Sequence, residues 1–305
     1  MKLKKYFWVM LFSVMLLAGV ILFNPATTAY AATTTSSATL VADNYTTPET
    51  AYNWGSYYNG KSTSTVTLPA QVNDAYFKFT VNSADKIYVR CAYDSKYEGM
   101  YMQLFDATAQ PVSKSVSPGG VVNPNSGIPF LAVNCNGTSS NQVFYVRVSR
   151  GSNYDINQPM YFTLDLNNRI KTGSGKFNFS GTAKNSGNTS LSSSGVNSSI
   201  LKLDLSSNSN IPKGAIVTSI TTSGSQSPSQ GNVHHMIMPA QPGTWYTSKV
   251  SNATSGLYNI SITDGISVAQ VWQFKYNVLA TASSTMSNVA INFNWQYDIT
   301  QNNYK

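Results

Sequence analysis

The sequence predicts an all-β protein: two β-sandwich domains, jelly-roll or immunoglobulin-like, behind a cleaved signal peptide. Three observations carry this expectation. Charged residues make up only 10% of the 305-residue chain, and Ser, Thr, Asn and Gly supply the polar surface in their place. Tyr (19) outnumbers Phe (13), and Tyr, Thr and Val favour strands, whereas Asn, Gly and Ser make turns. Apolar residues also recur with period two over short runs bounded by polar turns, as half-buried strands require. The low charge and the β-branched content argue against a helical protein. The aromatics and the apolar periodicity argue against disorder.

Lys2, Lys4 and Lys5 precede an unbroken apolar run over residues 6–23, which Asn24-Pro25 ends. Ala29-Tyr30-Ala31 then supplies the small-x-small pattern that signal peptidase accepts. Residues 1–31 are expected to be removed before Ala32. The rival is an uncleaved anchor, because the run is about long enough to span a bilayer. No second stretch in 32–305 is long and apolar enough to cross one. The mature chain is therefore expected outside the cell, including at the cell wall.

Loss of the leader removes three of the 20 basic residues and none of the 12 acidic ones, leaving a net charge of +5. Those charges form no Lys/Arg block, so no nucleic-acid stripe is expected. They suit a solubilising surface, or weak attraction to an anionic wall or polysaccharide. Cys91 and Cys135 fall in an oxidising compartment, and a disulfide between them is expected. It would close a loop of about 45 residues and stabilise by roughly 3–4 kcal/mol in the chain-entropy model. The alternative is a pair of buried thiols.

After a flexible leader over 32–39, the first sandwich is expected at 40–167. Its strand candidates are 74–81, 86–93, 100–105, 128–135, 142–150 and 159–166. In the first of these Tyr76, Lys78 and Thr80 share one face and Phe77, Phe79 and Val81 the other. Residues 168–176, ending in KTGSGK, read as a flexible linker.

Three blocks carry a resemblance: VNDAYFKFTVNSADKIYVRCAYD, YMQLFDATAQPV and VFYVRVSRGSNYDINQPMYFTLDL. In this order they resemble the bacterial pre-peptidase C-terminal domain family, and DNYTTPETAYNWG resembles its opening segment. The match covers about residues 40–167. It departs at Ala109-Gln110, where a turn Gly is usual, and it lacks the acidic pair after the first Asp. The resemblance implies a small jelly-roll-like sandwich that accompanies secreted hydrolases or binds a partner, and it implies no catalytic residues. Some relatives hold calcium near the start of the domain. Asp43, Asn44, Glu49 and Asp74 are the oxygen donors that would serve here, scattered in sequence. Calcium is the one cofactor the sequence raises.

The second sandwich is expected at 177–305, with strands near 175–182, 199–206, 214–224, 233–240, 257–263, 268–279 and 289–299. The last alternates clearly, with Val289, Ile291, Phe293, Trp295 and Tyr297 opposite Asn292, Asn294 and Gln296. The two halves show no repeat in register.

His234 and His235 are the only histidines. On a strand, neighbours point to opposite faces, so the pair does not converge on one ion. One inward, hydrogen-bonded His and one surface His are expected. No G-x-S-x-G elbow, no phosphate-cradling Gly loop and no paired glutamates appear. The exposed aromatics remain. Trp54, Tyr57 and Tyr58 sit in a Gly-rich polar segment, and Trp245 and Tyr246 follow the Pro242-Gly243 turn. Flat rings on sandwich loops stack on sugars or anchor partners, or else cap the ends of the sandwich. The expected function is non-enzymatic binding of cell wall, polysaccharide or an extracellular protein. The alternatives are a hydrolase with a site near His234 and His235, and a structural protein that self-associates through sheet edges.

Overall fold

A computed structural model describes residues 39–304 apart from Glu98, Gly119, Gly120 and Asn153. The signal peptide expected at 1–31 and nearly all of the leader expected at 32–39 lie outside the described residues. The described chain is one compact unit holding two sandwiches with separate cores.

The first sandwich comprises β1 (Leu40–Val41), β2 (Tyr52–Ser56), β3 (Lys61–Ser62), β4 (Val66–Leu68), β5 (Asp74–Val81), β6 (Lys86–Tyr93), β7 (Tyr101–Asp106), β8 (Phe130–Asn136), β9 (Gln142–Ser149) and β10 (Met160–Asn168). One sheet runs β1-β4-β10-β6-β8, with β3 also on β10; the other runs β2-β5-β9-β7. The alternation expected in β5 holds: Phe77, Phe79 and Val81 point into the core, and the Phe77 ring meets Phe162 of the opposite sheet edge-on at 6.1 Å.

The second sandwich comprises β11 (Ile170–Asn178), β12 (Ala183–Asn185), β13 (Val196–Asn197), β14 (Leu201–Asp204), β15 (Ile216–Ser227), β16 (His234–Pro239), β17 (Tyr246–Thr247), β18 (Val250–Ser251), β19 (Ser255–Leu257), β20 (Val271–Val278) and β21 (Ser284–Asp298). Its sheets run β11-β21-β15-β19-β18, with β12 on β21, and β13-β20-β16-β17, with β14 on β20. Ile291, Phe293 and Trp295 of β21 and Trp272, Phe274 and Tyr276 of β20 fill the space between them.

Two expectations are corrected here. Residues 168–176 are not a linker. Only Arg169 separates β10 from β11, and β11 pairs with β21 from Ile170↔Asp298 to Asn178↔Ala290. Gly173 and Gly175 serve close approach rather than flexibility. A Cβ on Gly173 would lie 2.6 Å from the Trp295 indole nitrogen, and one on Gly175 would lie 2.9 Å from the same ring. Cys91 and Cys135 are free and buried rather than bridged. They sit on paired strands, but the register sets Cys91 against Leu131 and Ile87 against Cys135. Four residues of offset put them roughly 13 Å apart along the strands, about twice the Cα separation a disulfide spans.

Candidate functional site

Strand β16 begins with the histidine pair, and alternation separates it. His235, Ile237 and Pro239 are buried; His234, Met236 and Met238 face outward. His235 is completely buried, with its ring edge-on to Phe274 at 5.2 Å. Its Nδ1 lies 2.9 Å from the Thr222 hydroxyl of β15, which lies 3.0 Å from the Tyr258 hydroxyl. Gly256 makes room for this network, because a Cβ there would come within 2.8 Å of His235 Cβ and 2.9 Å of Thr222 Oγ1. His235 Nε2 and Ser248 Oγ are buried without a hydrogen-bond partner. Burial pushes the imidazole down to about 4, because a cation there would lose its hydration without gaining a counter-ion. His235 is thus the inward, hydrogen-bonded histidine the sequence called for, and a substrate in solvent has no access to it.

His234 lies on the opposite side, on the wall of a hollow of about 340 Å³. Met236 of β16, Thr247 of β17, Asn277 of β20, Asn197 of β13 and Ser194 complete the lining. Asn277 is braced, its Nδ2 donating to the Ser194 carbonyl and to Asn197 Oδ1, both at 3.1 Å. Trp245 stands two residues before Thr247 of this lining. It precedes β17 by one residue, and the ammonium of Lys275 lies 4.1 Å from its ring centre. Lys275 is in turn the cross-strand partner of Met236. The outward face of β16 and β20 therefore offers one aromatic surface, one cation and a row of neutral hydrogen-bonding groups. A second hollow, of about 240 Å³, lies on the outward face of β11, β21 and β15 and is edged by Lys176, Ser219, Thr221, Asn292 and Asn294.

The five aromatics singled out in the sequence part company. Trp245 is half-buried at the site just described, while Tyr246 packs against the second core. Trp54 is a correction: it is only 6% exposed, on strand β2 rather than on a loop. The register shift between Asn53 and Gly55 accompanies a Trp54 ring that lies 6.3 Å from both Phe77 and Phe79. Tyr57 packs partly against the same core, and Tyr58, 62% exposed, carries Lys61 at 5.2 Å from its ring centre.

Of the calcium candidates, Asp43 accepts from Asn44 at 3.0 Å, and Glu49 is exposed. Backbone and Thr47 hydrogen bonds lower the Glu49 carboxyl below its usual range. Asp74 opens β5 with one buried carboxylate oxygen unpartnered. Among the described residues no three His, Cys, Asp or Glu side chains gather as a metal-holding group.

Sequence reasoning missed Lys275, Asn277 and Asn197. The alternation of VWQFKYNV marks Gln273, Lys275 and Asn277 as outward, but only the pairing of β20 with β16 and β13 sets them beside His234.

No family model matches the chain. A protein of Bacillus subtilis strain 168 described as "Uncharacterized protein YbdN" is 47% identical over 245 residues, which is 80% of this chain and 84% of that relative. Among solved structures, the pre-peptidase C-terminal domain of collagenase from Bacillus anthracis is 17% identical, covering 39% of this chain and 97% of that one, with a TM-score of 0.27. The tandem CBM22 domain of Paenibacillus barcinonensis Xyn10C is 8% identical, covering 71% of this chain and 82% of that one, with a TM-score of 0.25. A likeness of fold at this level does not carry a shared site.

Proposed function

The chain belongs to the family of the Bacillus subtilis protein YbdN, and for it we propose non-enzymatic binding outside the cell, to a wall or matrix polysaccharide, through the outward face of β16 and β20. The observation that carries this reading is Trp245, half-exposed under the Lys275 ammonium and two residues before Thr247 of a hollow lined by Ser, Thr, Asn and His side chains. A sugar presents an apolar ring face and a rim of hydroxyls, and this surface supplies a partner for each. The first sandwich, with its family-like strand blocks, is the accompanying pre-peptidase C-terminal-like module. Export through residues 1–31 is part of the same proposal.

The alternatives have less support. The histidine pair does not form a joint site, since one ring is buried and the other faces outward. The edge strand β11 carries Lys171 and Lys176, charges of the kind that discourage edge-to-edge pairing.

The test is co-sedimentation of the mature protein with purified cell wall and with insoluble glycans. Retention is expected, and Trp245→Ala should weaken it by roughly two- to tenfold, the worth of a stacked ring. Trp54→Ala is unsuitable as a probe because that ring is in the core. Absence of retention on every matrix, or retention unchanged by Trp245→Ala, overturns the proposal. Retention abolished by prior protease treatment of the wall reassigns the partner as a protein.

A further inference from the structure

In the sheet of β2, β5, β9 and β7, Phe77 and Phe79 of β5, Val146 and Val148 of β9, and Met102 and Leu104 of β7 fill the first core. Alternation turns Tyr76, Tyr145, Arg147, Tyr101, Gln103 and Phe105 to the opposite, solvent side. The solvent side of an antiparallel sheet is ordinarily polar, yet four of these six side chains are aromatic.

The rings hold one another and a cation. Tyr76 is only 9% exposed although it lies outside the core; it packs on Phe105 with the ring centres 6.1 Å apart. The Arg147 guanidinium lies 5.1 Å from the Tyr101 ring centre and 5.2 Å from that of Phe105. Its Nη2 donates to Gln103 Oε1 at 2.8 Å, and its Nε is buried without an acceptor. Register sets Arg147 between Tyr76 and Gln103, and Tyr145 between Lys78 and Phe105. Lys78 is thus a diagonal neighbour of Arg147, roughly 7–8 Å away between Cα atoms. Asp74 stands on the same stripe, opposite Ser149. Among the described residues neither Asp74 nor any other carboxylate forms an ion pair with Arg147 or Lys78.

Two features of this patch point to a ligand. Half-buried rings on a solvent face leave apolar area in water, and a covering partner removes it. A guanidinium held between two rings with one amide acceptor keeps a full charge and a planar fork, which match a carboxylate. A pyranose lies flat against an aromatic ring, and a uronic acid carries its carboxylate on that same sugar ring. We propose that the outward face of β5, β9 and β7 is a platform for a polysaccharide containing uronic acids. The rings supply the apolar contact, Arg147 takes the carboxylate, and Lys78 adds to the positive field. The platform belongs to the first sandwich and shares no residue with the face of β16 and β20, so the two proposals fail separately.

The test probes an array of uronic-acid oligosaccharides, their methyl esters and neutral counterparts with the purified protein, and measures affinities by titration calorimetry. Uronates should bind, and their methyl esters should bind about tenfold more weakly or less, the worth of a charge-assisted pair. Arg147→Gln should cause a similar loss for the uronates, about tenfold or more. Tyr101→Ala should weaken them by roughly two- to tenfold, and Trp245→Ala should leave them unchanged. Melting curves show that each variant is folded, and Tyr101→Ala stands in if Arg147→Gln is not. Binding of no uronate overturns the proposal. Equal affinity for acid and ester does so too, as does uronate binding that Trp245→Ala abolishes and Arg147→Gln spares. Equal affinity for poly-glutamate reduces recognition to charge and overturns the sugar assignment.

Discussion

The Nε of Arg169 lies 2.8 Å from a carboxylate oxygen of Asp298, tying the residue between β10 and β11 to the last residue of β21. The contact is an ion pair rather than an aligned hydrogen bond, since that N–H finds no acceptor in line. Around it, Ile299 donates its backbone N–H to the Arg169 carbonyl at 3.0 Å. Tyr304 reaches across to the first sandwich, donating to Asn134 Oδ1 at 3.2 Å with its ring 5.0 Å from that of Tyr88. The junction between the sandwiches is therefore bonded on both sides.

This junction predicts cooperative unfolding. The protein should melt in one calorimetric transition, and the Arg169→Ala, Tyr304→Ala double variant in two. The Arg169→Ala step alone should cost about 1–2 kcal/mol, between the ranges for exposed and buried pairs. Two transitions in the unsubstituted protein would show that the junction does not couple the domains.

Arg150 holds the first sandwich in another way. Arg150 is 1% exposed, and among the described residues no carboxylate forms an ion pair with it; its guanidinium donates to the carbonyls of Pro69 and Gln158 at 2.6 Å and of Val72 at 3.0 Å. Arg150→Met should destabilise by about 3–5 kcal/mol, because those carbonyls lose their donors together. Arg150→Lys should recover little of it, one ammonium being unable to reproduce the planar fork. Urea unfolding followed by fluorescence measures both.

Acid should weaken the second sandwich through His235. Its folded-state value is about 4 against 6.5 unfolded, so the unfolded chain takes up the proton first. The stability involved is complete above about pH 6.5 and is lost as pH falls toward 4, by up to about 3 kcal/mol. In His235→Gln the urea midpoint should be lower at pH 7 but flatter between pH 6.5 and 4. An unchanged slope in that variant would assign the acid sensitivity elsewhere.

The thiols should be inert in the native protein. Desolvation raises the Cys135 thiol to about 12, and it raises that of Cys91 as well. A thiol-reactive disulfide reagent at pH 8 should label neither until denaturant is added, and then both. Native labelling, or an intact mass two daltons below the reduced chain, would contradict the register of β6 and β8.

Much of the fold was legible because strand formation depends on local alternation. The expected strand at 74–81 is β5 and that at 86–93 is β6, with the same bounds, and the buried face of β21 is the one its apolar positions dictate. The opposite fates of His234 and His235 follow from that period alone. Reading failed where a residue type has two uses. Glycine marks flexible joints, and it also marks places where a neighbour comes too close for a Cβ; Gly173 beneath Trp295 is the second kind. Trp54 in a polar, Gly-rich segment looked like a loop ring, but β2 joins β5 in parallel and turns that ring into the core.

By itself the sequence determined the β class, the inward and outward residues of each long strand, and the separation of the histidines. These depend on a two-residue period that needs no partner strand. Only the tertiary structure decided which strands lie side by side and in what register. Register separates Cys91 from Cys135, brings Lys275 and Asn277 beside Met236 and His234, and joins Arg169 to Asp298. Such contacts join residues far apart in the chain, and hydrogen bonding together with the packing of two sheet faces selects them.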